Sequence, residues 1–422
     1  MGIKFDIMSN HLSRQEFYNW MLFSFFVLIL NFGWAQSSTD FNNQGLNKYS
    51  SKDYKGAIVD FSKAIALNVK NEKAFHNRGL AKYGLKDYEG AILDHSSAIA
   101  LNATYTNAYN DRGLAKSKLK NFDGALLDYS KAIETDAGYI PAYINRGNTR
   151  YVLKDYNGAI ADYNKSIELK PGNVEAFAGR GNAKIVLKDY KGAIADYTRA
   201  LEITPSFLPA LVNRGNARFM LKDDEGAIQD FTRVIVLQPT NSNVYFNLGA
   251  IYSSRKKSAE AVKAYGRYIA LEPGEWIGYK NLADIYYTQL SKFDSSTFYY
   301  ERAWKIRKND KEIMERYGYS LLKMNKVDEA VQMFKNQVAY LPDDPWGYYH
   351  IAAAFSFGKK PTESLNYFKL ALDKKLTDLG FIQNDEHLDN IRLLEDFRVL
   401  VKKYFTKDQL VKYPALFTFV GR

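Results

Sequence analysis

Residues 142–171 read AYINRGNTRYVLKDYNGAIADYNKSIELKP, from Ala142 to Pro171. The phrase recurs upstream and downstream at a spacing of 34 residues. Counting positions within a copy from 1 to 34 places a small residue at position 8: Gly45, Gly79, Gly113, Gly147, Gly181, Gly215, Gly249, Ala283, Gly318 and Ala352. Another falls at position 20: Ala57, Ala91, Ala125, Ala159, Ala193, Ala227, Ala261, Ser296, Ala330 and Ser364. One step is 35, with the extra residue near Leu290, so the chain holds ten copies.

Each copy predicts two helices. In the fourth, Ala142, Tyr143, Thr149 and Leu153 recur at helical spacing, Lys154-Asp155 interrupts with Asp155 as N-cap, and Tyr156, Ala159, Ile160, Tyr163 and Ile167 mark the buried face of the second helix. Pro171-Gly172 ends it. One such pair cannot bury its apolar faces, whereas stacked neighbours can, so the array is the folding unit. Small residues at positions 8 and 20 let the helices approach.

The period, the aromatic at position 4 (Phe75, Tyr109, Tyr143, Phe177, Tyr245), the Gly or Ala at 8 and 20, and the proline near 32 (Pro171, Pro205, Pro239, Pro273) resemble the tetratricopeptide repeat family. The resemblance covers residues 38–373. It implies an all-α, right-handed superhelical solenoid whose first helices line a concave groove for protein segments. Copies two to six are nearly alike, while copies seven to ten have drifted. The expected organisation is therefore a signal peptide over 1–35, repeats one to six over 38–241, repeats seven to ten over 242–373, and capping helices with a tail over 374–422. In the cap, residues 379–405 carry two short amphipathic segments.

Composition narrows the function. Hydrophobic residues make up 46% of the chain, Tyr (32) and Phe (26) are abundant and Pro (10) is scarce, a balance suited to packed helices. The net charge of +11 weakly favours anionic partners or surfaces. The absence of cysteine excludes disulfides, thiolate metal sites and a cysteine nucleophile. The uncharged run Met21–Trp34, followed by Ala35 and polar QSSTD, reads as a secretory signal cleaved after Ala35. Export to the periplasm or cell surface is thus expected, the alternative being an N-terminal anchor that stays attached.

No catalytic signature is present. The five histidines, His11, His76, His95, His350 and His387, lack metal-ligand spacing, and there is no phosphate-binding loop or nucleophile elbow. The single Gly at position 19 of six copies is expected to serve packing. The chain is expected to be non-enzymatic, without cofactor or metal, and to bind a protein or peptide rather than nucleic acid.

Two periodic polar sets remain. Repeats two to six carry Arg78, Arg112, Arg146, Arg180 and Arg214 at position 7, with Lys82, Lys116, Arg150, Lys184 and Arg218 one turn on at position 11. Such like-charge neighbours destabilise a helix unless compensated. The periodic Asp60, Asp94, Asp128, Asp162, Asp196 and Asp230 are the expected partners, forming an Arg–Asp ladder. The alternative is a basic ribbon for a polysaccharide or other polyanion.

The second set is asparagine, including Asn145, Asn213 and Asn247 at position 6 and Asn148, Asn182 and Asn216 at position 9. An amide both donates and accepts, so it can hold a peptide backbone of any sequence. The arrangement resembles the asparagine ladder in the superhelix of O-GlcNAc transferase, which implies a binding mode only. Ile144, Tyr151, Val212 and Phe219 lie between the amides as apolar contacts, and Trp346 and Tyr349 are expected to anchor a second, aromatic surface. The clamp for acidic chaperone tails is missing. Of its lysines only Lys280 fits, and Asp284 stands where the clamp needs Asn.

Overall fold

In the computed structural model, residues 15, 18, 19, 21, 22 and 36–417 are described. The expected signal segment thus lies almost wholly outside the described residues, as does the end of the tail. By contacts the chain falls into two compact units, Met1–Pro205 and Ser206–Arg422.

The first unit holds five helix pairs: α1 (Ser38–Ser50) with α2 (Tyr54–Leu67), α3 (Glu72–Gly84) with α4 (Tyr88–Leu101), α5 (Thr106–Lys118) with α6 (Phe122–Thr135), α7 (Ile140–Val152) with α8 (Tyr156–Leu169), and α9 (Val174–Val186) with α10 (Tyr190–Ile203). The second holds five more: α11 (Leu208–Met220) with α12 (Asp224–Leu237), α13 (Ser242–Ser254) with α14 (Ser258–Leu271), α15 (Trp276–Thr288) with α16 (Phe293–Ile306), α17 (Lys311–Lys323) with α18 (Val327–Tyr340), and α19 (Pro345–Phe357) with α20 (Pro361–Asp373). Within each unit every helix packs on its sequence neighbours, as a solenoid requires.

The boundaries follow from local chemistry. Position 15 takes a left-handed conformation in every copy, Lys154 having φ 65°, and this reverses the chain between the two helices. The next residue caps the second helix. In the first six copies an Asp or Asn carboxyl or amide oxygen accepts the N–H of the Gly at position 19 at 2.9–3.0 Å, as Asp155 does from Gly158. An added Cβ on Gly158 would meet Asp155 at 2.1 Å, which is why glycine recurs there.

The helix–helix contact turns on position 8. A Cβ added to the glycine there would stand 2.3–3.0 Å from the ring at position 24, for example Tyr163 against Gly147 and Phe334 against Gly318. The bare backbone is thus the seat of a buried ring. Leu153, expected on the packed face of the first helix, and Pro171, expected to end the second, are both exposed. Leu153 is 42% exposed because α7 ends at Val152 and the chain is already turning. Pro171 is exposed as well, in the turn between copies.

After α20 follow α21 (Leu379–Asn384), α22 (Asp389–Arg392), α23 (Glu395–Tyr404) and α24 (Lys407–Val411), with 3-10 turns at Glu386–Leu388 and Pro414–Phe417. Ile382, Leu388, Ile391, Phe397 and Val401 are buried against Tyr349, Phe368 and Ala371 of the tenth pair. This segment closes the last apolar face. Arg392 is fully buried within it, donating from Nε to Asp389 at 3.0 Å and from Nη2 to the carbonyls of Ile382 and Asp385 at 2.5 and 2.6 Å.

Candidate binding face of the first helices

The Arg–Asp ladder is present. In copies two to six Nη2 of the position-7 arginine lies 2.5–2.7 Å from Oδ1 of the aspartate in its own copy. The cation at position 11 reaches the other oxygen of that carboxylate at 2.7–2.8 Å. One buried aspartate thus answers two cations. The link between copies is a third contact that the sequence reading lacked. Nη1 of Arg78, Arg112, Arg146 and Arg180 donates to Ser62, Ser96, Ser130 and Asn164 of the preceding copy at 2.7–3.1 Å. Each of these guanidinium groups also lies 5.4–5.7 Å from the centroid of its position-4 ring. The ladder stops at the seventh copy, where Leu248 and Ala264 replace arginine and aspartate. There Leu248, Tyr252, Ile235 and Ala264 line an open cleft of about 710 Å³.

The asparagines are bonded to their own scaffold. Asn145 Nδ2 donates to Asn110 Oδ1 of the preceding copy at 2.9 Å, and Asn77 donates likewise to Asn42 at 3.0 Å. Asn148 and Asn182 accept at Oδ1 from the hydroxyls of Tyr163 and Tyr197, both at 2.7 Å. In the sixth copy position 24 is Phe231, which has no hydroxyl, and Asn216 Oδ1 instead accepts from Asn247 Nδ2 at 2.8 Å. Where a tyrosine is available at position 24 it fixes the amide. Where it is not, the next copy does. The pairing of position 9 with position 24 was visible in the sequence as co-occurring Asn and Tyr in copies four and five.

This leaves defined groups facing outward. Asn148 is exposed with its carbonyl engaged, so its Nδ2 presents donors. Asn145 is half-buried with one amide N–H engaged, so its Oδ1 presents an acceptor. Asn182, Asn213, Asn216, Asn247, Val212 and Phe219 are half-buried on their helices. Tyr151 is half-buried beside Tyr156, ring centroids 5.5 Å apart.

Two expected contact residues are core residues. Ile144 is 8% exposed and packs with Ala159, Tyr163 and Ala176, because its position points toward the second helix of its copy. Tyr349 is wholly buried, and its hydroxyl donates to Asp385 at 2.7 Å. The capping segment covers it. Trp346 is half-buried, with Phe381 of that segment edge-on at 5.0 Å. Burial works against the Asp385 charge, but hydrogen bonds from His387 and Tyr349 hold its carboxyl below the usual range.

Lys280, the one residue that matched the acidic-tail clamp, lies 2.8 Å from Glu312 and 3.3 Å from Asp284. Among the described residues no group of three or more His, Asp or Glu is arranged to hold a metal ion. Among the same residues no helix is long and apolar enough to cross a membrane.

Family models described as tetratricopeptide repeats match residues 140–173, 174–207 and 231–263. The first two matches coincide with the fourth and fifth copies. No curated protein matches the chain. Among solved structures the chain is similar to the MamA protein, at 24% identity over 40% of this chain and 92% of that one, TM-score 0.39. It is also similar to the C-terminal part of a TPR repeat-containing protein from Cytophaga hutchinsonii, at 19% identity over 57% and 98% of the two chains, TM-score 0.49. A third similarity is to Pseudomonas aeruginosa pilF, at 16% identity over 50% and 96%, TM-score 0.46. Ten copies of one helix pair, with family models matching three stretches of the array, make this chain a tetratricopeptide repeat protein.

Proposed function

We propose that the protein is an exported, non-enzymatic scaffold that holds an extended segment of a partner protein along its first-helix face. The observation that carries this reading is the fixed orientation of the amides. Asn145 offers an acceptor and Asn148 offers donors three residues away on the same helix. Together they match the carbonyl and N–H of a peptide backbone, whose recognition needs one of each. A preoriented amide loses little freedom on binding, so its hydrogen bonds contribute more to affinity. In the first unit Tyr151 supplies an apolar contact and Asn182 a further amide, and in the second Val212 and Phe219 supply apolar contacts beside Asn213, Asn216 and Asn247.

The basic stripe does not lead us to a polyanion, because each position-7 and position-11 cation in copies two to six is already set against a buried aspartate. Salt titration of binding separates the two readings. Peptide binding that persists at high salt supports the groove, whereas a steep loss with salt returns the polyanion. Replacing Asn148 and Asn145 with Ala is expected to weaken peptide binding at least about tenfold with the fold intact; undiminished affinity would overturn the amide role. Export is tested by sequencing the N-terminus of the chain recovered from its cells, with Gln36 expected as the first residue.

A further inference from the structure

On the first-helix face of the second unit lies a cavity of about 230 Å³, lined by Tyr287, Tyr300, Glu312, Glu315, Arg316 and Tyr319. Its charges do not balance. Arg316 Nε donates to Glu312 at 3.1 Å and its Nη1 lies 3.5 Å from Asp284. Lys280 contacts the same two carboxylates at 2.8 and 3.3 Å. Two cations therefore answer two anions. Nearby Lys311 is held by Asp344 at 2.7 Å. Glu315 is left over, half-buried, with no hydrogen bond or ion-pair contact among the described residues. Burial pushes its carboxyl above the usual range, and Glu312 and Asp344 add to this against Lys311 and Arg316.

A second polar group lies beside it. The Tyr319 hydroxyl oxygen is shielded from solvent and has no hydrogen-bond partner among the described residues. A buried polar atom left in that state destabilises the fold. Tyr319 lines the same cavity as the uncompensated carboxylate, together with Tyr287. A carboxylate without a counterion, a free phenol oxygen and an aromatic face together suit an ammonium or guanidinium group on an aliphatic stem. An anion would meet surplus negative charge, and a metal ion would find a single free carboxylate.

We propose that this cavity takes one lysine or arginine side chain of the bound segment, its cationic head against Glu315 and within hydrogen-bond reach of the Tyr319 hydroxyl. The inference rests on the groove reading above and adds the chemistry of one partner residue. It is tested by selecting binders to the full chain from a random decapeptide library. Lysine or arginine is expected at one fixed place in the selected peptides. Changing that residue to norleucine should weaken binding to the natural chain about tenfold or more. Glu315→Gln should bind both versions equally while melting no lower than the natural chain, because it removes a buried unpaired charge.

Selected peptides without a fixed cationic residue, or a preference that survives in Glu315→Gln, would overturn the cavity assignment and leave the groove standing. A library that yields no binder at all would overturn the groove reading and this assignment with it.

Discussion

The Tyr163 hydroxyl donates to Asn148 Oδ1 at 2.7 Å, joining a buried ring on α8 to an exposed amide on α7. A packing residue thereby sets the direction of a surface group. Tyr163→Phe keeps the ring and removes the bond. Stability should fall by about 1 kcal/mol or less, since the freed carbonyl can turn to water. Peptide affinity should fall several-fold because the amide is no longer held. Thermal melting and a binding titration on the same sample separate the two effects. Unchanged affinity would show that orientation is irrelevant.

Asp162 answers both Arg146 and Arg150, at 2.7 and 2.8 Å, from a position that is 3% exposed. Asp162→Ala leaves two guanidinium groups uncompensated and should destabilise by about 3–5 kcal/mol. Arg146→Ala leaves Arg150 on the carboxylate and should destabilise less, by about 2 kcal/mol. Urea unfolding checks the order. Equal losses would mean that the second cation gives no support.

His95 occupies the ring position that Phe or Tyr holds in most other copies, is 0% exposed, and neither ring nitrogen has a partner among the described residues. Burial lowers its pKa to about 4, with the charge of His76 and, more weakly, Arg112 adding to this against Asp111 and Asp94. The folded value lies below the unfolded one of 6.5, so both states are neutral above that pH and the unfolded state binds the proton first below it. Stability should therefore fall as pH drops from about 6.5 to about 4, by about 3 kcal/mol from this residue, and level off below. His350, wholly buried, is lowered to about 3 by burial and adds a loss that reaches lower pH. His95→Phe should flatten the first part of the fall and raise stability at pH 7. Melting curves across pH check it, and an unaltered profile would rule out His95 as the source.

Gly147 and Gly318 hold the same position but not the same clearance. A Cβ would stand 3.0 Å from Tyr163 in the first and 2.3 Å from Phe334 in the second. Alanine gains about 1 kcal/mol in helix propensity at either site. Overpacking against a fixed ring costs about 1–3 kcal/mol. Gly147→Ala should therefore be near neutral, while Gly318→Ala should lower the melting temperature. The reverse order would show that Tyr163 is the less yielding ring.

The repeat period, the helix pairs, their caps and the glycine seats could be read from the chain itself. Each depends on neighbours within one copy, and the spacing marks them: Asp155 at the start of its helix, Gly147 where two helices approach, Arg146 with Asp162. Contacts between copies and with the cap were not legible in that way. Arg146 reaching Ser130, Asn145 reaching Asn110 and Phe381 covering Trp346 depend on how one helix is rotated against the next, and no periodicity records that angle. The same reason explains the two misplaced ligands. Ile144 and Tyr349 both hold position 5, which the resemblance assigns to the groove, but that position is buried in each of the first five copies, and the segment after α20 closes over Tyr349 in the tenth. The sequence alone determined the repeating unit and its internal bonds. The tertiary structure decided which polar groups remain for a partner, because hydrogen bonds across copies consume some amides and orient the rest.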